Sequence, residues 1–256
     1  MKSKGKNLKI SIITVVRNNP NVIRTLESIL AQEIDCEIEL IVIDGGSTDN
    51  TIQILESFRN WITHFISEPD NGIYDAMNKG LRLATGDIIG ILNSDDVYYS
   101  NTSLKSIVEP FLANALLDAV YANLVMVKED GSGNVFRKWL SRPFREGAFE
   151  YGWMPPHPTF YARRSVFQKF GNFNLAYRIA GDFEWMVRVV AKGKIKTLFL
   201  NQFIIKMQAG GASNGSVRNI LKANLECLKA CRENGLRPSL FFIPLKVGSK
   251  LLQIIN

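Results

Sequence analysis

Histidine and cysteine are scarce in this chain, at two and three among 256 residues. Cys227 and Cys231 fall four apart on an expected helix and Cys36 lies far away, so no disulfide framework is expected and no cysteine metal site. Free structural thiols suit a reducing compartment. Long apolar runs are missing too, and no stretch is long enough to cross a bilayer. The basic start and apolar run of MKSKGKNLKISIITVV have the outline of a signal peptide, yet the run ends at Arg17 after seven residues without a small-residue cleavage site. A first β-strand is the better reading, and a cytoplasmic location is expected. No repeat or low-complexity segment occurs, and no Walker A loop, G-x-G-x-x-G turn or serine-hydrolase elbow.

The composition is ordinary for a globular chain, with 46% hydrophobic and 21% charged residues. A formal net charge of +7 favours an anionic partner, such as a nucleotide diphosphate or an anionic membrane surface. The basic residues are scattered and form no RNA- or DNA-binding motif, so no nucleic-acid partner is expected.

Periodicity predicts strands at Lys9–Val16, Glu37–Ile43, Trp61–Ser67 and Ile88–Leu92, alternating with helices that end near Gln32 and Phe58 and one that carries Tyr74 to Arg82. Asn19 or Asn21 is expected to cap the first helix, and Ser47, Thr48 or Asp49 the second. This β-α-β-α order implies an α/β fold with a doubly wound, mostly parallel central sheet. Two of its strands run into carboxylates, Asp44 and the pair Asp95-Asp96. Open α/β sheets bind ligands at such strand ends. Adjacent carboxylates also call for a cation, and their hard oxygens suit Mg2+ or Mn2+. The bland alternative is that each Asp caps a turn. Asp75, Asn78, Lys79 and Arg82 share one helical face, a pattern that is usually just solvated.

The second half predicts a helix from Thr102 to about Ala113 and a hairpin of Asp118–Val127 with Asn134–Trp139, turned by Glu129-Asp130-Gly131-Ser132-Gly133. An aromatic stretch follows, then a helix from Arg163 to about Phe170 and another through Asp182 to Ala191. Two closing strands are expected at Lys194–Leu200 and Phe203–Gln208, then a glycine-rich loop over 209–215 able to close on a ligand. A helix over Val217–Glu233 leads into an apolar tail broken by Pro238 and Pro244. The tail with its lysines suits a membrane interface, the domain surface or a second subunit.

Four successive stretches, SIITVVRNN, LIVIDGGSTDNT, EPDNGIYDAMNKGLRLATGD and ILNSDD, resemble glycosyltransferase family 2, whose members have the GT-A fold. The resemblance implies an inverting transfer of a sugar from a nucleotide-diphosphate sugar, UDP-linked by preference, to a saccharide or lipid-linked saccharide hydroxyl. It further implies a GT-A domain over 1–215, with 216–256 as a helical extension that binds membrane or forms a homodimer. By position, Thr14, Val15 and Asp44 match residues around the nucleoside. Asn78 lies in the donor-proximal helix, and Asn93, Ser94 and Asp95 match the metal-binding Asp-x-Asp region with Asp95 the direct ligand. Asp182 matches the general base of a Glu-Asp pair whose first member is here Gly181. Asn93 likewise stands where an acid is commonest, which suits it to sugar or ribose rather than metal. Trp153 and His157 are expected near the sugar or acceptor, with core packing and a structural hydrogen bond as the plainer readings. His64 is read as structural. Cell-surface polysaccharide synthesis, at the cytoplasmic face of the membrane, is the setting this family suggests. Rival classes are a non-catalytic nucleotide-sugar-binding scaffold and a sugar-phosphate nucleotidyltransferase. The latter would need a Gly- and Arg-rich N-terminal loop, which RNNPN is not.

Overall fold

The computed structural model describes residues 8–128, 133–208, 217–251 and 253. Its first half is β1 (Lys9–Val16), α1 (Val22–Leu30), β2 (Glu37–Asp44), α2 (Thr51–Ser57), β3 (His64–Ser67), α3 (Ile73–Leu83) and β4 (Ile88–Ile91). β-branched residues dominate β1, and the pleat sends alternate ones to opposite faces. Ile13 and Val15 enter one core; Ile10, Ile12 and Val16 enter a second. Helix α3 covers the first core with Tyr74, Met77 and Leu81, while α1 and α2 cover the second through Val22, Leu26, Ile29 and Leu55. The four strands are parallel in the order β3-β2-β1-β4. The register pairs Val16 with Asp44, Asp44 with Ser67 and Ile13 with Ile91, so the carboxyl ends of the strands open on one side. Close packing of α3 on β1 needs Gly80, where an added Cβ would lie 2.5 Å from Ile13 Cγ2.

The sheet continues through β5 (Val97–Tyr98), β6 (Ala119–Val127), β7 (Val135–Trp139), β8 (Tyr161–Arg163) and β9 (Thr197–Gln208), in the order β4-β8-β6-β9-β5 with β7 beside β6. β8 is antiparallel to both β4 and β6, and β5 is antiparallel to β9. Helices α4 (Ser103–Ala113) and α5 (Arg164–Phe170) flank this half. α6 (Gly181–Met186) continues as a π-helical turn over Val187–Lys192. β6 and β7 form the expected antiparallel hairpin; residues 129–132 of its turn lie outside the described residues, as does the glycine-rich loop over 209–215.

Three expectations are corrected. The two closing strands are one twelve-residue strand, β9, which follows β6 in parallel along its whole length. Shifts in register between Ala122 and Leu124 absorb the polar Asn201-Gln202 that suggested a break. The polar face of α3 is not solvated throughout. Asn78 and Lys79 are buried, and Lys79 Nζ bonds Pro69 O at 3.0 Å and Glu68 Oε1 at 2.8 Å. Finally, Pro244 sits in the first turn of α8 (Phe242–Leu251), where a missing N–H costs nothing, and does not interrupt it.

The helices after residue 216, α7 (Val217–Glu233) and α8, share the first core. Cys227, Ala230, Cys231 and Phe242 are buried there with Phe183 and Trp185. All three cysteines are free thiols. The end of the chain is tied to β7, where Lys138 N–H donates to Gln253 O at 3.1 Å. No helix among the described residues is long and apolar enough to cross a membrane.

Candidate active site

Where β4 ends, Leu92 N–H still donates to Ile13 O, and the chain then turns through Asn93–Asp96, closed by Asp96 N–H to Asn93 O at 3.1 Å. Residues around the start of α1 brace this turn. Thr25 Oγ1 donates to Asp96 O at 2.9 Å, and Asn19 Nδ2 donates to Ser94 Oγ at 3.1 Å. Ser94 is buried, Asp95 is partly exposed and Asp96 is buried. Burial, reinforced by the charge of Asp95, pushes the Asp96 carboxyl well above the usual carboxylate range despite a backbone hydrogen bond at Gln208.

Two buried oxygens of the turn, Asn93 Oδ1 and Asp96 Oδ2, have no hydrogen-bond partner. Such orphaned acceptors beside an accessible carboxylate are hard-oxygen chemistry of the kind Mg2+ or Mn2+ accepts. Among the described residues, no group of three or more His, Cys, Asp or Glu could hold a metal by itself. The turn therefore fits a divalent ion that takes the rest of its ligands from a bound diphosphate and water.

Across the crevice stands Asp182, in the first turn of α6. Its carboxylate is held on both oxygens. Tyr74 Oη, from α3, lies 3.1 Å from Oδ1, and His157 Nδ1 lies 3.3 Å from Oδ2. His157 opens a 3-10 turn (His157–Thr159), and its Nε2 reaches 3.5 Å to Asn93 Nδ2. One imidazole thus connects Asp182 to the turn that carries Asp95. Tyr74 is buried, and that burial, followed by the charge of Asp182, pushes its phenol well above the ordinary range. It stays a proton donor.

The segment leading into Asp182 is fixed by α7. Glu226, itself buried, accepts the backbone N–H groups of Arg178 at 3.2 Å, Ile179 at 2.8 Å and Ala180 at 2.8 Å. Nothing in the local sequence announces this contact, which joins residues 46 to 48 positions apart.

Several expected ligand residues are occupied otherwise. Asp44 is fully buried; its Oδ2 accepts Gly46 N–H, Ser47 N–H and Ser67 Oγ, and its Oδ1 accepts Ser47 Oγ. It shapes the turn after β2. Thr14 is buried with its hydroxyl unpartnered, and Val15 packs in the first core, so neither side chain faces the crevice freely. Asn78 spends both ends of its amide on Phe173, accepting from its N–H at 3.0 Å and donating to its O at 2.9 Å. Asn78 thereby pins the chain after α5 to α3. Trp153, partly buried, packs edge-on against Phe149 and Tyr121 beside the first core. Tyr151 beside it is exposed. A separate cavity of about 250 Å³, lined by Phe144, Phe149, Val190 and Leu236 among others, contains neither Asp95 nor Asp182 and is not this site.

A carboxylate aimed by two donors, facing a turn that suits a cation-bridged anion, is equipped to take a proton from a nucleophile as an anionic group departs. The family model described as Glycosyl transferase family 2 matches residues 11–173. A "PGL/p-HBAD biosynthesis glycosyltransferase" of Mycobacterium bovis (strain BCG / Pasteur 1173P2) is 29% identical over 214 residues, covering 80% of this chain and 78% of the relative. Among solved structures, the mannosyltransferase PcManGT of Pyrobaculum calidifontis, in complex with GDP-Man and Mn2+, superposes with a TM-score of 0.67 at 17% identity, over 96% of this chain and 70% of that one. S. aureus TarS 1-349 in complex with UDP gives a TM-score of 0.63 at 19% identity, over 93% and 68% of the two chains. The shared fold is GT-A.

Proposed function

The chain belongs to glycosyl transferase family 2, and we propose that it is an inverting enzyme moving a sugar from a UDP-linked donor to the hydroxyl of a saccharide or lipid-linked saccharide. The observation that carries this reading is the Asp182 carboxylate, fixed by Tyr74 and His157 beside the Asn93–Asp96 turn. As the acceptor oxygen bonds to the anomeric carbon, its proton passes to Asp182 and the bond from that carbon to the diphosphate oxygen breaks on the opposite face. The electron pair leaves with the diphosphate. Asp95 would hold the divalent ion, Mn2+ or Mg2+, which supplies positive charge for that leaving group. The nucleoside lies across the ends of β1 and β2, with Asp44 acting through the turn it organises rather than by direct contact. Asn93 and Ser94 border the sugar or ribose.

The Mycobacterium bovis relative's name, with its PGL/p-HBAD biosynthesis, supports a product destined for a cell-surface glycan or glycolipid. Leu240 and Phe241, exposed at 98% and 66% beside Arg237, support a peripheral contact with the cytoplasmic face of the membrane. The experiment is Asp182→Asn. Donor and UDP binding, read by thermal shift, are expected to persist while transfer falls by about 10²- to 10⁴-fold. Substantial remaining transfer would sink the base assignment. Retained binding by a wild-type chain that neither transfers nor hydrolyses any donor would favour the scaffold reading.

A further inference from the structure

We propose that Tyr74 and His157 are positioning residues that clamp Asp182 from its two sides, with Gly181 making room for the Tyr74 ring and Asn93 backing His157. The inference rests on Asp182 being the base.

Tyr74 is placed independently of the carboxylate. Its single O–H is shared between two acceptors, Ile179 O at 2.7 Å and Asp182 Oδ1 at 3.1 Å, and the nearer, rigid backbone carbonyl sets where the phenol stands. The ring behind it occupies the space a side chain at 181 would need. An added Cβ on Gly181 would lie 2.8 to 2.9 Å from three ring carbons of Tyr74, closer than such contacts permit. A residue larger than glycine at 181 would push the ring, and its hydroxyl, off Asp182. The glycine and the tyrosine are one unit.

On the other side, the His157 ring bridges two elements: Nδ1 lies 3.3 Å from Asp182 Oδ2 and Nε2 lies 3.5 Å from Asn93 Nδ2. Asn93 therefore backs the ring from its far nitrogen, so that the edge facing Asp182 is held in place. Among the described residues, the buried Cys227 thiol of α7 also lies close enough to feel the charge of Asp182, and Lys246 Nζ of α8 lies 3.0 Å from that sulfur.

Tyr74→Phe removes one donor and leaves the ring. His157→Ala removes the other, whereas His157→Asn restores an N–H near the place of Nδ1. In Tyr74→Phe and His157→Ala, kcat is expected to fall about ten- to hundredfold. Donor KM and the thermal shift with UDP should stay at wild-type values. His157→Asn should recover part of the loss, and Gly181→Ala should reproduce Tyr74→Phe. Wild-type kcat in both deletions, while Asp182→Asn is dead, overturns the clamp and leaves the base standing. Loss of the UDP-induced shift along with kcat overturns it too, since that marks support of the donor site. If Tyr74→Phe melts early, the His157→Ala and His157→Asn pair decides. An active Asp182→Asn removes the base reading itself.

Discussion

Glu226 Oε2 lies 2.8 Å from the backbone nitrogen of Ala180, two residues before Asp182. With the N–H groups of Arg178 and Ile179 on the same carboxylate, α7 acts as a backbone anchor for the segment leading into Asp182. Glu226→Ala would strand these donors, and stranded buried donors cost about 1–3 kcal/mol each. We expect a net loss of about 2–4 kcal/mol in urea unfolding, with a fall in transfer. Glu226→Gln, which keeps one acceptor oxygen, should sit between. Wild-type stability in Glu226→Ala would show that the anchor contributes nothing.

Asp95 is the accessible carboxylate of the Asn93–Asp96 turn. UDP with Mn2+ should raise the melting temperature of the wild-type chain, because a ligand specific to the folded state stabilises it. UDP alone should do less. In Asp95→Ala the metal-dependent part of the shift should vanish. A full shift in that variant would move the metal ligand elsewhere.

Glu39 makes stability depend on acid pH. Burial pushes its carboxyl up, but Ser11 Oγ and Thr85 Oγ1, each at 2.5 Å, Thr85 N–H and Lys9 outweigh it and hold the group at about 2, against an ordinary 4.5. A depressed folded value means that the stabilisation is complete above 4.5 and is lost as pH falls toward 2. The group is buried, and the shift corresponds to about 3 kcal/mol. Unfolding free energy measured from pH 6 to 2 should show this decline in the wild-type chain. In Glu39→Gln the slope should flatten, from a lower starting stability.

Leu240 and Phe241 are expected to contribute to binding anionic vesicles in co-sedimentation. Their replacement by serine should weaken binding with little change in melting, because neither side chain is buried. Equal binding by the double variant would remove the tail from membrane contact.

Much of the architecture was legible because it is written in local periodicity. The alternation of buried strands and amphipathic helices, the turns after β2 and β4, and α7 to its end residues follow from the spacing of apolar residues. Asp95 and Asp182 were visible as carboxylates at strand and helix ends within recognisable stretches. What stayed hidden depends on partners distant in sequence. Asn78 and Lys79 read as a wet helical face until Phe173, Pro69 and Glu68 arrive to bury them. Asp44 reads locally as a carboxylate at a strand end, and its bond from Ser67, 23 residues on, is not visible there. Gly181 reads as a departure from the family pattern until the Tyr74 ring, 107 residues earlier in the chain, fills the space beside it. β9 defeats periodicity because its irregular pairing with β6 resets the alternation midway.

The Glu39 cluster lies at the start of β1 and β2, five residues before Asp44, so about 16 Å of strand separates it from the crevice. Robustness and chemistry therefore reside at opposite poles of the same sheet. A lineage, or an engineer, can harden the basal pole against heat or acid without redrawing the recognition pole. The same arrangement lets substitutions around the crevice draw on stability stored elsewhere, which is the condition for changing what the enzyme accepts one residue at a time.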